Sequence, residues 1–150
     1  MRKASRRKRS GAPPPASRPR RIAAGARSVD AVEIDDGIIE IGRRHHPDKP
    51  FDDPRVRIHI EDGREFLRNT DKKYDLILYA LPDSLVRASS MSSVRLESYL
   101  FTMESFAGAK NALKPDGLLV LYNQYRWQWL VEKIAAMLEE TFGIPPQRYT

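Results

Sequence analysis

The acids closing the run Ser28-Val29-Asp30-Ala31-Val32-Glu33-Ile34-Asp35-Asp36 are the first residues here whose type and place could do chemistry. The run alternates apolar and polar residues and carries two valines and an isoleucine, which predicts a short strand. An apolar helical pattern follows at once. Open α/β sheets bind nucleosides at the carboxyl ends of parallel strands, and a carboxylate there can accept both ribose hydroxyls. Glu33 holds that place. A strand that simply ends in solvated acids fits the same residues, and the strand by itself does not choose between the two. His45-His46 is the other chemically suggestive pair. Adjacent residues point in different directions on a helix, and only Asp48 stands close by, so no metal site is expected.

The elements that must position these residues follow from periodicity. Strands are predicted over 29–34, 56–60, 74–81 and 118–122. Tyr74 to Leu81 and Leu118 to Tyr122 are nearly continuously apolar, as strands buried on both faces should be. Ile22 to Arg27 has the composition of a last helical turn with a glycine exit. Asp35 or Asp36 caps a helix that His45-His46-Pro47 ends. Residues 50–54 form a loop, a short helix begins at Glu65-Phe66-Leu67, and Asp71-Lys72-Lys73 is a turn. The serine-rich stretch 87–93 is expected to be a mobile loop. Thr102 caps a helix with Phe106, Ala109 and Leu113 on one face, and Lys114-Pro115-Asp116-Gly117 is expected to be a turn. Trp127, Leu130, Val131, Ile134, Leu138 and Phe142 make an apolar stripe on a last helix, with Gly143 as its cap. Strands alternating with helices mean βαβ units, a parallel sheet and right-handed crossovers.

The 150 residues suffice for one domain with a sizeable core. The net charge of +6 is unevenly distributed. Residues 1–21 hold nine of the 26 Lys and Arg and no acid, so the remainder, with 17 bases and 20 acids, carries a formal −3. The tail, with Pro13-Pro14-Pro15 and no aromatic, cannot bury enough surface to order itself and is expected to be disordered. Counterion release onto nucleic acid or anionic lipid is open to it, but without aromatics to stack on bases a solvated tail is expected, and the mildly acidic remainder has no reason to seek nucleic acid. No cysteine is present, which excludes disulfides and thiolate metal sites and fits a reducing, cytoplasmic setting. No apolar run approaches the length of a membrane span.

Five segments in succession carry a resemblance. They are Val29-Asp30-Ala31-Val32-Glu33-Ile34-Asp35, Asp53-Pro54-Arg55-Val56-Arg57, Glu61-Asp62-Gly63-Arg64-Glu65-Phe66-Leu67, Lys73-Tyr74-Asp75-Leu76-Ile77 and Leu113-Lys114-Pro115-Asp116-Gly117-Leu118-Leu119. The succession resembles the spermidine synthase family, over about residues 22–121. The Lys-Pro-Asp-Gly piece is shared by many methyltransferases, whereas Asp-Gly-Arg-Glu-Phe-Leu with the preceding Asp-Pro-Arg-Val is more specific. The resemblance implies a Rossmann-like α/β fold of the methyltransferase type. It implies decarboxylated S-adenosylmethionine or S-adenosylmethionine as a substrate, no metal, and transfer of a group to a small-molecule amine. It further implies that Glu33 accepts the ribose hydroxyls, that Asp62 accepts from the adenine amino group with Gly63 letting the backbone approach the ring, and that Asp83 faces the cationic amine. Asp83 is the candidate catalytic residue. A strand-end acid, a turn acid and a helix-capping acid are the plainer alternatives for Glu33, Asp62 and Asp83.

Two departures accompany the matches. The family's catalytic aspartate falls at Ala80. A nucleoside-binding unit of this kind also begins with a strand and a glycine-rich turn about 20 residues before the acid. That region holds Ala12-Pro13-Pro14-Pro15-Ala16-Ser17-Arg18. The expectation is an N-terminally incomplete domain over residues 22–150, lacking its first strand and glycine-rich loop. Catalysis by it should be weak or absent, with a second copy or a partner chain completing the sheet. A methyltransferase, or a non-enzymatic module with a basic tail, are the alternatives.

Overall fold

The computed structural model describes residues 25–80, 100–123 and 128–149. The chain divides into two compact units, Met1–Ile60 and Glu61–Thr150. The basic tail, residues 22–24, the stretch 87–93, Asp83 and Trp127 lie outside the described residues.

In the first unit, strand β1 (Val29–Glu33) pairs in parallel with β2 (Val56–Ile60), Val29 opposite Val56 and Glu33 opposite Ile60. Helix α1 (Asp36–His45) and a 3₁₀ turn at Pro50–Asp52 connect them. Asp35 is the cap of α1, its Oδ1 accepting the Gly37 N–H at 2.9 Å. His46 leaves the helix with extended backbone (φ −71°, ψ 123°), as a residue before proline must. The Arg55 guanidinium lies on the Asp53 carboxylate and reaches the Ala26 carbonyl at 3.4 Å, fastening the approach to β2 to the approach to β1. Ile39 is buried, while Ile34, Ile38, Ile41 and Ile60 are exposed.

The second unit contains α2 (Gly63–Asn69), β3 (Tyr74–Ala80), α3 (Met103–Ala112), β4 (Leu113–Tyr122) and α4 (Gln128–Phe142). Strands β3 and β4 pair in parallel. Thr102 caps α3 as expected, its Oγ1 accepting the Ser105 N–H at 3.2 Å. The core joins Ile77 and Tyr79 of β3, Phe106, Ala109 and Ala112 of α3, Leu113 of β4 and Ile134 of α4. Leu130, Leu138 and Phe142 pack against it, so these positions of the α4 stripe, with Ile134, are core. Gly143 ends that helix in the left-handed region (φ +78°), with its N–H on the Glu139 carbonyl at 2.7 Å.

Two expectations are corrected. The predicted turn at 114–117 lies inside β4. Tyr74 pairs with Leu113 and Leu76 with Leu118, so Asp75 alone faces the four residues from Lys114 to Gly117, a bulge in the ladder. Lys114 Nζ holds both Asp75 oxygens at 2.8 Å across it. A Cβ on Gly117 would come within 2.8 Å of the Tyr74 carbonyl, so only glycine fits this approach. The composition is that of a turn, and the strand after it is the predicted one; what composition does not carry is that Leu113, before it, already pairs with Tyr74, because that pairing is non-local. Second, β3 and β4 are buried on one face, not two. Ile77, Tyr79, Leu119 and Leu121 enter the core, but Leu76, Leu118, Val120 and Tyr122 are 40–63% exposed. Among the described residues β1 pairs with β2 and β3 with β4, both in parallel. Alternation of strands and helices predicts the direction of pairing, not which strands become neighbours. Among the described residues no helix is long and apolar enough to cross a membrane.

Candidate functional site

Glu33 is the last residue of β1. Its half-buried side chain turns back onto the strand-to-helix turn. Oε1 accepts the N–H groups of Ile34 at 2.9 Å and Asp35 at 3.2 Å. Those donors belong to residues leaving the strand ladder just before the α1 cap, where the backbone has no regular partner. Two N–H groups saturate Oε1, and among the described residues Oε2 takes no donor. An ionised carboxylate oxygen accepts two hydrogen bonds, which is what two vicinal hydroxyls require.

Asp62 and Gly63 open α2 in the second unit. Asp62 is the helix cap, not the simple turn acid weighed from sequence. Its Oδ1 accepts the Arg64 N–H at 2.8 Å, the Glu65 N–H at 3.3 Å and Arg64 Nε at 3.2 Å, and its Oδ2 accepts the Arg64 guanidinium at 3.2 Å. Partial burial would raise the carboxyl's pKa, but the Arg64 side chain and the Arg64 and Glu65 backbone N–H groups overcome that and hold it below its ordinary value. Oδ2 keeps one acceptor site. A Cβ at Gly63 would meet only Leu100 Cδ2, at the ordinary contact distance of 3.5 Å, and the residue has no left-handed φ. Nothing within the described fold requires glycine there, which leaves close approach of something else as a reason for it.

Removing the cap is a first test of this arrangement. Asp62→Ala is expected to lower stability by about 0.5–2 kcal/mol. Because the folded-state carboxyl pKa is depressed, this contribution is fully present above the ordinary carboxylate range and disappears as pH falls through the folded value. Thermal melts of the two proteins should differ at neutral pH and converge in acid. A difference that persists unchanged in acid would remove the ionised cap from the account.

Ala80 ends β3, opposite Tyr122, and carries no group that could take a proton. Its neighbour Tyr79 is buried, and its hydroxyl is spent on Ser105 Oγ at 2.9 Å. Asp83 lies outside the described residues, so its place is not assigned. Sequence reasoning missed Arg64 as the partner of Asp62, although a base two residues after a capping acid was the available signal. It also missed a bond from His59 Nε2 to Asp30 Oδ1, 2.9 Å, between β2 and β1. Among the described residues no group of three or more His, Asp or Glu converges as metal ligands.

Residues 22–143 match the spermine/spermidine synthase domain. A polyamine aminopropyltransferase of Clostridium perfringens (strain SM101 / Type A) is 34% identical over 111 residues, 73% of this chain and 35% of that protein. The polyamine aminopropyltransferase of Streptococcus pneumoniae serotype 4 is 34% identical over 94 residues, 61% of this chain and 30% of that protein. Among solved structures, a spermidine synthase in complex with the transition state analogue AdoDATO aligns with a TM-score of 0.61 at 24% identity, covering 79% of this chain and 39% of that one. The alignment shows a Rossmann-like fold of the methyltransferase type. The chain thus spans 30–35% of the length of these two curated relatives.

Proposed function

Because this chain belongs to the spermine/spermidine synthase domain family, we propose that it is the nucleoside-holding part of an aminopropyl-transferring unit, taking decarboxylated S-adenosylmethionine and a small amine. The observation that carries this is the Glu33 carboxylate, fixed at the end of a parallel strand through Oε1 with Oε2 left for hydroxyls. In this proposal Oε2 accepts the ribose 2′- and 3′-hydroxyls. The remaining acceptor site of Asp62 takes the adenine amino group, Gly63 admits the ring to the backbone, and Asp83 faces the cationic amine. The amine nitrogen attacks the propyl carbon bonded to the sulfonium. The C–N bond forms as the C–S bond breaks, methylthioadenosine departs with the electron pair on sulfur, and the new ammonium loses one proton.

The amine must be unprotonated to attack, which is why a carboxylate base helps. With alanine at position 80, proton removal falls to Asp83 or to solvent, and turnover by this chain alone is weak or absent. Ala80 also favours a second reading, methyl transfer from S-adenosylmethionine to an acceptor that is already nucleophilic and needs no base. Product analysis with each of the two sulfonium substrates separates them.

The test of the site is Glu33→Gln. Affinity for decarboxylated S-adenosylmethionine, measured by titration calorimetry, is expected to fall by about 1–3 kcal/mol, the cost of losing hydrogen bonds to a charged group. Equal affinities would exclude Glu33 from the site. No binding by the unmodified chain would overturn the proposal that it holds the nucleoside by itself.

A further inference from the structure

A parallel ladder of five residues a side specifies its register poorly. A slip of one residue turns every side chain to the other face and is rejected by the apolar pattern, but a slip of two restores the faces. In β1 and β2 the apolar face of Val29 and Ala31 against Val56, Ile58 and Ile60 tolerates such a slip. A side-chain bond on the opposite face does not. Asp30 stands opposite Arg57 and Val32 opposite His59, so the 2.9 Å bond from His59 Nε2 to Asp30 Oδ1 runs diagonally, two positions along the ladder. A two-residue slip in one direction draws the pair four positions apart. In the other it sets them face to face, where Nε2, at the far end of the ring, overshoots the shorter carboxylate. The Asp30 side chain is 7% exposed, so breaking this bond costs more than breaking the same bond at the surface.

We propose that Asp30 and His59 are a positioning pair that selects the register of β1 on β2 and so sets where Glu33 presents its carboxylate. A slip of two residues would carry Glu33 about 6.6 Å along the sheet, beyond any adjustment its side chain can make. The proposal deepens the nucleoside site described above and rests on it for its ligand.

The experiment compares full-length wild type, His59→Leu, His59→Gln and Asp30→Asn. Two quantities are read: affinity for 5′-methylthioadenosine against its 2′-deoxy analogue, and amide hydrogen exchange over Val29–Glu33. Wild type should prefer the ribonucleoside by about fivefold or more, the worth of one hydrogen bond to a carboxylate. His59→Leu should lose that preference and exchange the β1 amides about tenfold faster or more. His59→Gln keeps a donor, and Asp30→Asn keeps an acceptor, so both should retain most of each. General loss of stability would weaken both ligands alike and leave their ratio unchanged. The proposal is overturned if His59→Leu keeps the ratio and the protection, or if His59→Gln is as damaged as His59→Leu. If wild type itself does not distinguish the two nucleosides, Glu33 is not the ribose acceptor. The pair then stands or falls on exchange alone, and equal β1 protection in wild type and His59→Leu rejects it.

Discussion

The unmodified chain, supplied with putrescine and decarboxylated S-adenosylmethionine, is expected to give no spermidine detectable by chromatography. On the proposed reading the general base belongs at the end of β3, and that position holds Ala80, whose methyl group neither orients nor deprotonates an amine. Lack of a general base typically costs about 100- to 10,000-fold in rate. The sequence of residues 12–18 also holds no glycine-rich pattern, and on the proposed reading the N–H groups of such a turn would help to hold the nucleoside, so affinity is expected to be low as well. The two defects compound, so Ala80→Asp alone should not restore product. Grafting a strand and a Gly-x-Gly turn ahead of Ile22 should strengthen nucleoside binding first, measurable by calorimetry before any turnover appears. Robust turnover by the unmodified chain would defeat this prediction and assign the base role to Asp83 or another acid.

Phe106→Ala is expected to destabilise the second unit by about 3–5 kcal/mol, the usual cost of emptying a large aromatic site in a packed core. Phe106 is fully buried, and its ring stacks on Tyr79 with centroids 6.4 Å apart and planes 27° from parallel. It also lies among Ile77, Ala109, Ala112, Leu113 and Ile134, so it ties α3 to β3, β4 and α4 together. Small residues line much of that site and cannot swing in to fill a void. A loss of this size is a large fraction of the stability of an ordinary domain. Urea unfolding followed by far-ultraviolet circular dichroism would measure it, and Phe106→Leu should cost clearly less. A change below about 1 kcal/mol for the alanine variant would mean that the site collapses freely and is not the centre of the core.

The one-sided burial of β3 and β4 bears on the same measurement. Leu76, Leu118, Val120 and Tyr122 present an apolar strip to solvent, and a pair of strands is a marginal sheet. Concentration-dependent melting of the wild type is the expected sign of association through such surfaces.

By itself the sequence determined what is encoded locally. Alternation in Val56-Arg57-Ile58-His59-Ile60 located β2, Asp35 and Thr102 announced the helices they cap, Pro47 ended α1, and the apolar stripe of α4 foretold its packing. Each rests on contacts between residues a few positions apart, where composition and geometry are tightly linked. The segments quoted for the spermidine synthase resemblance were legible for the same reason, and the family and fold followed from them. Tertiary structure decided what depends on distant partners. That Gly117 belongs to a bulge in β4 is set by the Tyr74 carbonyl. That Asp30 meets His59, and that β1 pairs with β2 and β3 with β4, is set by ladder register and by which edges find each other. Periodicity reports which way a side chain faces, but not what it faces, because the neighbour is chosen only when non-local surfaces compete for burial and backbone donors compete for acceptors.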